Sequence, residues 1–166
     1  MNTIVLDSDA LIKLTKAGCL GKILGTIDCF ISNEVYEETV INGMKRFYDD
    51  AFQIDRLVRE GKLKIEETRN NEMAQDILKE SKLGKGENST LHLFFNRNVS
   101  AIISDDRAFL NILHQNNIPF IIPTDLIVRL YELKIITMEE FMKALDMIKP
   151  YVSKHNYDRA KNNPEV

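Results

Sequence analysis

Short apolar runs alternate along the chain with helically spaced apolar stripes. Thr3–Leu6 is a compact run that stops at Asp7, the pattern of a strand covered on both faces. Ser8 follows as a helix cap, and Ala10, Leu11 and Leu14 mark one face of the helix it opens. A second run at 29–31 leads to Ser32 or Asn33, the cap of a helix that carries Val35, Glu38 and Val40. Residues 45–60 read as one helix with Phe47, Ile54, Leu57 and Val58 inward, ended by Gly61. Residues 63–65 are a short strand candidate, and 71–82 a helix carrying Met73, Ile77 and Leu78. Gly84 and Gly86 break the chain, and Glu87 opens a helix with Leu91, Phe94 and Phe95 inward. Residues 99–104 have strong β character and end at Asp105 and Asp106, after which Ala108, Leu110 and Leu113 belong to the next helix. Residues 120–122 form a strand between Pro119 and Pro123, followed by helices at 126–133 and Met138–Ile148.

This alternation predicts an α/β fold of three layers, α/β/α, around a twisted, mainly parallel sheet of four to five strands with right-handed crossovers. The domain is expected to span 1–150. From Pro150 the apolar period fades, so 151–166 reads as a C-terminal tail, helical or frayed.

Composition narrows the class. The 166 residues suit one domain with one sizeable core, and 44% hydrophobic with 28% charged residues is the balance of a globular chain. A net charge of −3 excludes a chain-wide basic surface for nucleic acid but not a local patch. Lys45, Arg46, Arg56 and Arg59 are one candidate patch, and Lys149, Lys154, His155, Arg159 and Lys161 another. Cys19 and Cys29 fit neither a disulfide scaffold nor a zinc motif, which suits two reduced, buried thiols. Asp7 and Asp9 interrupt the N-terminal apolar stretch, so it is not a signal peptide, and no apolar run nears the roughly 18 residues that span a bilayer. A cytoplasmic protein without a membrane segment is expected.

In open α/β sheets, ligands gather at the carboxyl ends of strands. Asp7, Asp105 and Asp106 stand at such ends, Glu87 at a helix start, and Glu37 and Glu38 in the helix after the second strand. Carboxylates that share a pocket repel one another and their pKa values rise unless a cation joins them. Mg²⁺ and Mn²⁺ prefer hard oxygen donors, and no His–Cys constellation speaks for zinc. Such a cation can activate water and offset charge on a phosphodiester. Each acid also has a plainer reading. Asp7, Asp105 and Asp106 could be helix caps, Glu38 could lie on a solvated face, and Glu87 could complement a helix dipole. Gly84-Lys85-Gly86 lacks the spacing of a phosphate loop, and His92 and His114 sit within helices as ordinary residues.

The segment VLDSDALIKL resembles the first motif of the PIN-domain family: an apolar strand, an Asp, a small polar residue and an apolar helix. ISNEVYEETV resembles the second, LGKGENSTLHLF the third and IISDDRAFL the fourth, and IPTDLIVRLYELKIIT is similar to the family's last strand and helix. The resemblance covers about residues 3–150 in the expected order. It implies that Asp7 is the first acid. It implies Glu38 rather than Glu37 as the second, three residues after Val35, and Glu87 as the third, where many members carry Asp. For the fourth, Asp106 has the right spacing to Phe109, whereas Asp105 ends the strand more directly. Ser104 stands where many members have Ser or Thr.

From this resemblance a metal set of Asp7, Glu87 and Asp105 or Asp106 is expected, completed by Glu38 directly or through water. Mg²⁺ or Mn²⁺ is the expected cofactor, and hydrolysis of RNA phosphodiester bonds the expected reaction. The family also implies frequent service as the toxin of a toxin–antitoxin pair and frequent homodimers. An antitoxin that placed a basic side chain among the acids would inhibit by replacing the cation.

Asp7-Ser8-Asp9 is also similar to the opening motif of haloacid-dehalogenase-type phosphatases, with Asp7 as nucleophile and Asp9 as general acid. Against it, Ala10 stands where that family usually has Thr or Val, and the helix begins at once. A third reading is a non-catalytic module that binds a cation, RNA or a protein partner. Metal-dependent RNA cleavage, phosphatase turnover, or neither, separates the three.

Overall fold

The computed structural model describes residues 3–163. Five strands, β1 (Thr3–Leu6), β2 (Asp28–Ser32), β3 (Lys64–Glu66), β4 (Ala101–Ile103) and β5 (Phe120–Ile121), pair in the order β3-β2-β1-β4-β5. Every pairing is parallel. The chain winds outward from β1 to β2 and β3, then returns to β4 on the other side of β1. That reversal opens a crevice at the carboxyl ends of β1 and β4, where ligands bind in sheets of this kind.

Helices cover both faces. α1 (Ser8–Lys16) and α2 (Leu20–Leu24) lead from β1 to β2. α3 (Asn33–Tyr36), a π-helical turn (Glu37–Ile41), α4 (Asn42–Lys45) and α5 (Asp49–Arg59) lead from β2 to β3. α6 (Glu72–Leu78) and α7 (Lys85–Asn96) precede β4, and α8 (Arg107–Gln115) precedes β5. α9 (Pro123–Glu132), α10 (Met138–Ile148) and α11 (Lys154–Asn162) follow. Strand side chains alternate between two cores. Ile4, Leu6, Cys29, Ile31 and Ile103 pack with Leu11, Leu14 and Phe141. Val5, Phe30 and Ile102 pack with Leu91, Leu93 and Phe109. Because both faces are covered, the strands read as continuous apolar runs.

Two expectations need correction. The single helix over 45–60 breaks at Arg46 and Phe47, where Phe47 takes φ 59° and lies 84% exposed instead of inward. Gly43 makes the reversal possible: a Cβ there would come within 2.8 Å of the Ala51 Cβ, so α4 and α5 meet at a distance only glycine allows. Met73 also points outward, because α6 is one short helix that turns Ala74 to the core, with Ile77 and Leu78 at its margin. The C-terminal segment, for which a helical or frayed course is expected, contains α11, whose Tyr157 and Ala160 join the main core. Arg159 ties this helix to Asp125 on α9 with two bonds of 2.8 and 2.7 Å.

Cys19 and Cys29 are free and buried, and burial pushes both thiols up to about 12, so neither is a reactive thiolate at neutral pH. Among the described residues, no helix is long and apolar enough to cross a membrane.

Candidate metal centre

β1 hands over to α1 at Asp7. Its backbone stays extended (φ −81°, ψ 175°), and its Oδ1 accepts the Ala10 N–H at 2.9 Å. Asp7, not Ser8, is therefore the cap, because Ser8 already has helical backbone. The Asp7 side chain is fully buried, yet its Oδ2 has no hydrogen-bond partner. Burial pushes its pKa from 3.8 up to about 7. The Ser104 hydroxyl and the Ala10 N–H draw it back, while the charges of Asp9 and Glu87 push it further up. Ser104 Oγ accepts the Asp106 N–H at 3.2 Å and borders Asp7 without completing a bond to Oδ2.

β4 ends beside β1 and delivers two aspartates with different partners. Asp106 caps α8, its Oδ1 accepting the Phe109 N–H at 2.8 Å. Asp105 instead meets the Lys13 ammonium at 2.7 Å, and the same nitrogen holds Asp9 at 2.8 Å.

Glu87 lies in the first turn of α7, whose cap is Gly84. The Ser89 hydroxyl donates to the Gly86 carbonyl at 2.9 Å and lies 2.7 Å from the Ser32 hydroxyl, which ties the start of α7 to the end of β2. Burial raises the Glu87 pKa first, and the charges of Asp106 and Glu38 raise it further. Backbone N–H groups of the helix start oppose this.

Glu38 comes from the π-helical turn, where the Asn42 N–H bonds back five residues to the Glu37 carbonyl. Such turns insert an extra residue and re-aim side chains, often at functional sites. The Glu38 Oε2 accepts the Ser8 hydroxyl. A Cβ on Gly86 would come within 2.5 Å of that oxygen and 3.1 Å of Ser8 Oγ, so Gly86 is the cradle in which Glu38 rests. Glu37 points to solvent.

Asp7, Glu38, Glu87 and Asp106 thus come from four separate segments to one edge, near enough for Glu87 to feel Asp106 and Glu38 and for Asp7 to feel Glu87. Asp105 reaches the same edge but is engaged by Lys13. Among the described residues, no group of three or more His, Cys, Asp or Glu side chains is arranged to hold a metal ion in this structure. Asp7, Glu38, Asp105 and Asp106 are each held by a local partner: a helix N–H, a serine or a lysine. The donors are hard oxygens, and one of them, Asp7 Oδ2, is buried with nothing to satisfy it. Those hard oxygen donors suit Mg²⁺ or Mn²⁺, and Mg²⁺ commonly keeps several waters.

A cleft of about 630 Å³ runs from Glu38 and Thr39 to Arg46, Phe47 and Tyr48. A larger hollow of about 1020 Å³, among Arg129, Ile135 and Thr137, contains none of these site acids, and the smaller cleft contains Glu38 alone of them. Of the basic residues expected to guide RNA, Lys45 and Arg46 are exposed, whereas Arg56 faces Glu60 at 3.8 Å and Arg59 is bonded to Asp55. Lys13 was missed from the sequence, although its position one helical turn after Asp9 is a readable ion-pair signal.

Carboxylates gathered at the switch point of a parallel sheet mark an α/β domain with an acidic ligand edge. A family model described as PIN domain matches residues 3–164, and the chain belongs to that family. Its members are typically metal-dependent nucleases that bind divalent metals. No curated protein matches the chain. The phosphatase alternative is not sustained: Asp9 sits in the first turn of α1 with its carboxylate on Lys13, and the PIN match spans nearly the whole chain.

Proposed function

We propose that this PIN domain is an Mg²⁺- or Mn²⁺-dependent endoribonuclease, with Asp7, Glu87 and Asp106 holding the cation and Glu38 beside them, directly or through water. The observation that carries this reading is the buried, unpartnered Asp7 Oδ2 within electrostatic reach of Glu87. An anionic oxygen removed from water and left unmet costs free energy, and a cation relieves that cost.

A divalent cation in such a site supplies Lewis-acid stabilisation of the phosphate and acidifies water. The chain's own groups do the remainder. Asp7 would hold the cation as its carboxylate. Asp106 uses Oδ1 to start α8, which leaves Oδ2 for the site. Ser8 fixes Glu38 through Oε2, so Oε1 is the atom placed to take a proton from water that approaches the phosphodiester. Lys45 and Arg46 attract the RNA backbone toward the cleft.

The domain further acts as the toxin of a toxin–antitoxin pair, inhibited by a partner that inserts a basic side chain among the acids. Lys13 against Asp105 supports the chemistry, since an ammonium already rests on one of these carboxylates. A homodimer is the proposed assembly, supported by the exposed Phe47, Tyr48 and Phe52, and sedimentation tests it. The activity test incubates single-stranded RNA with the full chain in Mg²⁺, Mn²⁺ or EDTA. Cleavage is expected with either metal, absent in EDTA and absent in Asp7→Asn, without turnover of p-nitrophenyl phosphate. Cleavage that persists in EDTA contradicts the proposal.

A further inference from the structure

Asp7, Asp9, Glu38, Glu87, Asp105 and Asp106 reach the carboxyl edge, and the Lys13 ammonium stands among them. Lys13 Nζ lies 2.7 Å from Asp105 Oδ2 and 2.8 Å from Asp9 Oδ2. The Lys13 side chain is 15% exposed and that of Asp105 9%, so this pair is withdrawn from water, while Asp9, at 44%, closes the cluster on its solvent side. Two carboxylate oxygens that touch one nitrogen mark the position a bridging cation would take.

Sequence and fold produce the arrangement together. Asp9 and Lys13 are one turn apart on α1, and Asp105 arrives from β4 because β1 and β4 are neighbours in the sheet. The same neighbour relation places Asp7 and Asp106 beside them. Hence the edge has two halves. In one, Asp7 has an unmet buried oxygen and Glu87, Asp106 and Glu38 crowd together. In the other, Asp9 and Asp105 are already joined by a positive charge.

We propose that Lys13 is a resident cation that fills the Asp9–Asp105 half of the acidic edge and so limits the site to one divalent ion. The proposal rests on the metal reading above and deepens it to a stoichiometry. Two-metal nuclease sites hold their ions about 3.5–4 Å apart on shared carboxylates. A second ion held by Asp9 and Asp105 would have to displace Lys13, which occupies those donors and repels another dication. A purely structural ion pair would instead affect stability and leave the ion count alone.

The test is a Mn²⁺ titration of the full chain, followed by calorimetry and by the electron paramagnetic resonance signal of free Mn²⁺. Wild type is expected to bind one Mn²⁺ per chain. Lys13→Met, which keeps the length of the side chain and removes its charge, is expected to bind two. Lys13→Arg retains one, and Lys13→Met with Asp105→Asn returns to one. Circular dichroism establishes that each variant is folded. A wild type that binds two ions, or a folded Lys13→Met that binds one, overturns the proposal while leaving the metal reading intact. A wild type that binds none overturns both. Asp105→Asn with Lys13 in place gives a second check that does not depend on the folding of Lys13→Met. Its affinity for the single ion is expected to stay within about threefold, because the lost charge was already paired. A loss of about tenfold or more, the size seen when metal-site residues are removed, would make Asp105 part of the ion's site and overturn the proposal.

Discussion

Asp55 on α5 and Asp7 at the end of β1 are both withdrawn from water, 6% and 0% exposed. Asp55 accepts the Tyr36 hydroxyl at 3.0 Å and Arg59 Nε at 2.6 Å, and the Arg59 bond leads in holding its carboxyl below the usual range. Asp7 has one oxygen on a helix N–H and the other on nothing, among further negative charges, and its pKa stands at about 7. One residue type is thus used in two ways. A carboxylate whose bonds are completed within the chain stabilises the fold. One left incomplete where several acids converge holds free energy that a ligand can release.

Breaking the comparison at Asp7 has the largest expected effect. Asp7→Asn keeps an oxygen for the Ala10 N–H and removes the anion. RNA cleavage should fall by about 10²-fold or more, the scale of losing a principal electrostatic group in an active site. The metal-free melting temperature at pH 8 should rise rather than fall.

The second effect is in pH. Folded Asp7 holds its proton more tightly than the unfolded chain does. The stability this group confers is full below about 3.8 and is lost as pH rises through about 7. At about 1.4 kcal/mol per unit, the metal-free chain should be less stable at pH 8 than at pH 5 by on the order of a few kcal/mol from this group. Urea denaturation in EDTA at both values measures it, and the difference should largely vanish in Asp7→Asn. Metal affinity should move the opposite way, rising through about pH 7, because binding displaces that proton.

Asp55→Asn should show the converse of Asp7→Asn. It breaks a completed pair and should lower stability by about 1–3 kcal/mol, with cleavage of RNA essentially unchanged. The smallest effect is expected at Gly86→Ala. The added Cβ pushes the Glu38 carboxylate off Ser8, which should lower cleavage by about tenfold while the melting temperature barely moves, because the displaced atoms are the end of a flexible side chain.

The sheet was legible because buried parallel strands carry short apolar runs that end at polar punctuation: Thr3–Leu6 before Asp7 and the run before Asp105. The helix expected around Met138–Ile148 has those bounds, and in the structure Thr137 and Glu140 form a capping box at its start. The turn at Phe47 was not, because neither Gly nor Pro marks it: a phenylalanine takes the left-handed backbone, and the glycine that permits the close packing lies four residues earlier. Helical periodicity likewise cannot reveal the π-helical turn that carries Glu38, nor the packing of α11 through so few apolar residues. At the site, sequence spacing brought forward the acids but could not distribute their partners. Asp105 and Asp106 are adjacent in sequence, yet one faces Lys13 and the other caps α8. That division depends on β1 and β4 being neighbours, which is a property of topology.

The most direct test of the central claim is anomalous diffraction from crystals of the wild-type chain grown with Mn²⁺. One peak is predicted at roughly 2 Å from Asp7 Oδ2, the bonding distance of a hard cation to carboxylate oxygen, with Glu87 and Asp106 turned toward it and no peak between Asp9 and Asp105. No Mn²⁺ beside Asp7, or Mn²⁺ bound only elsewhere on the chain, would contradict it.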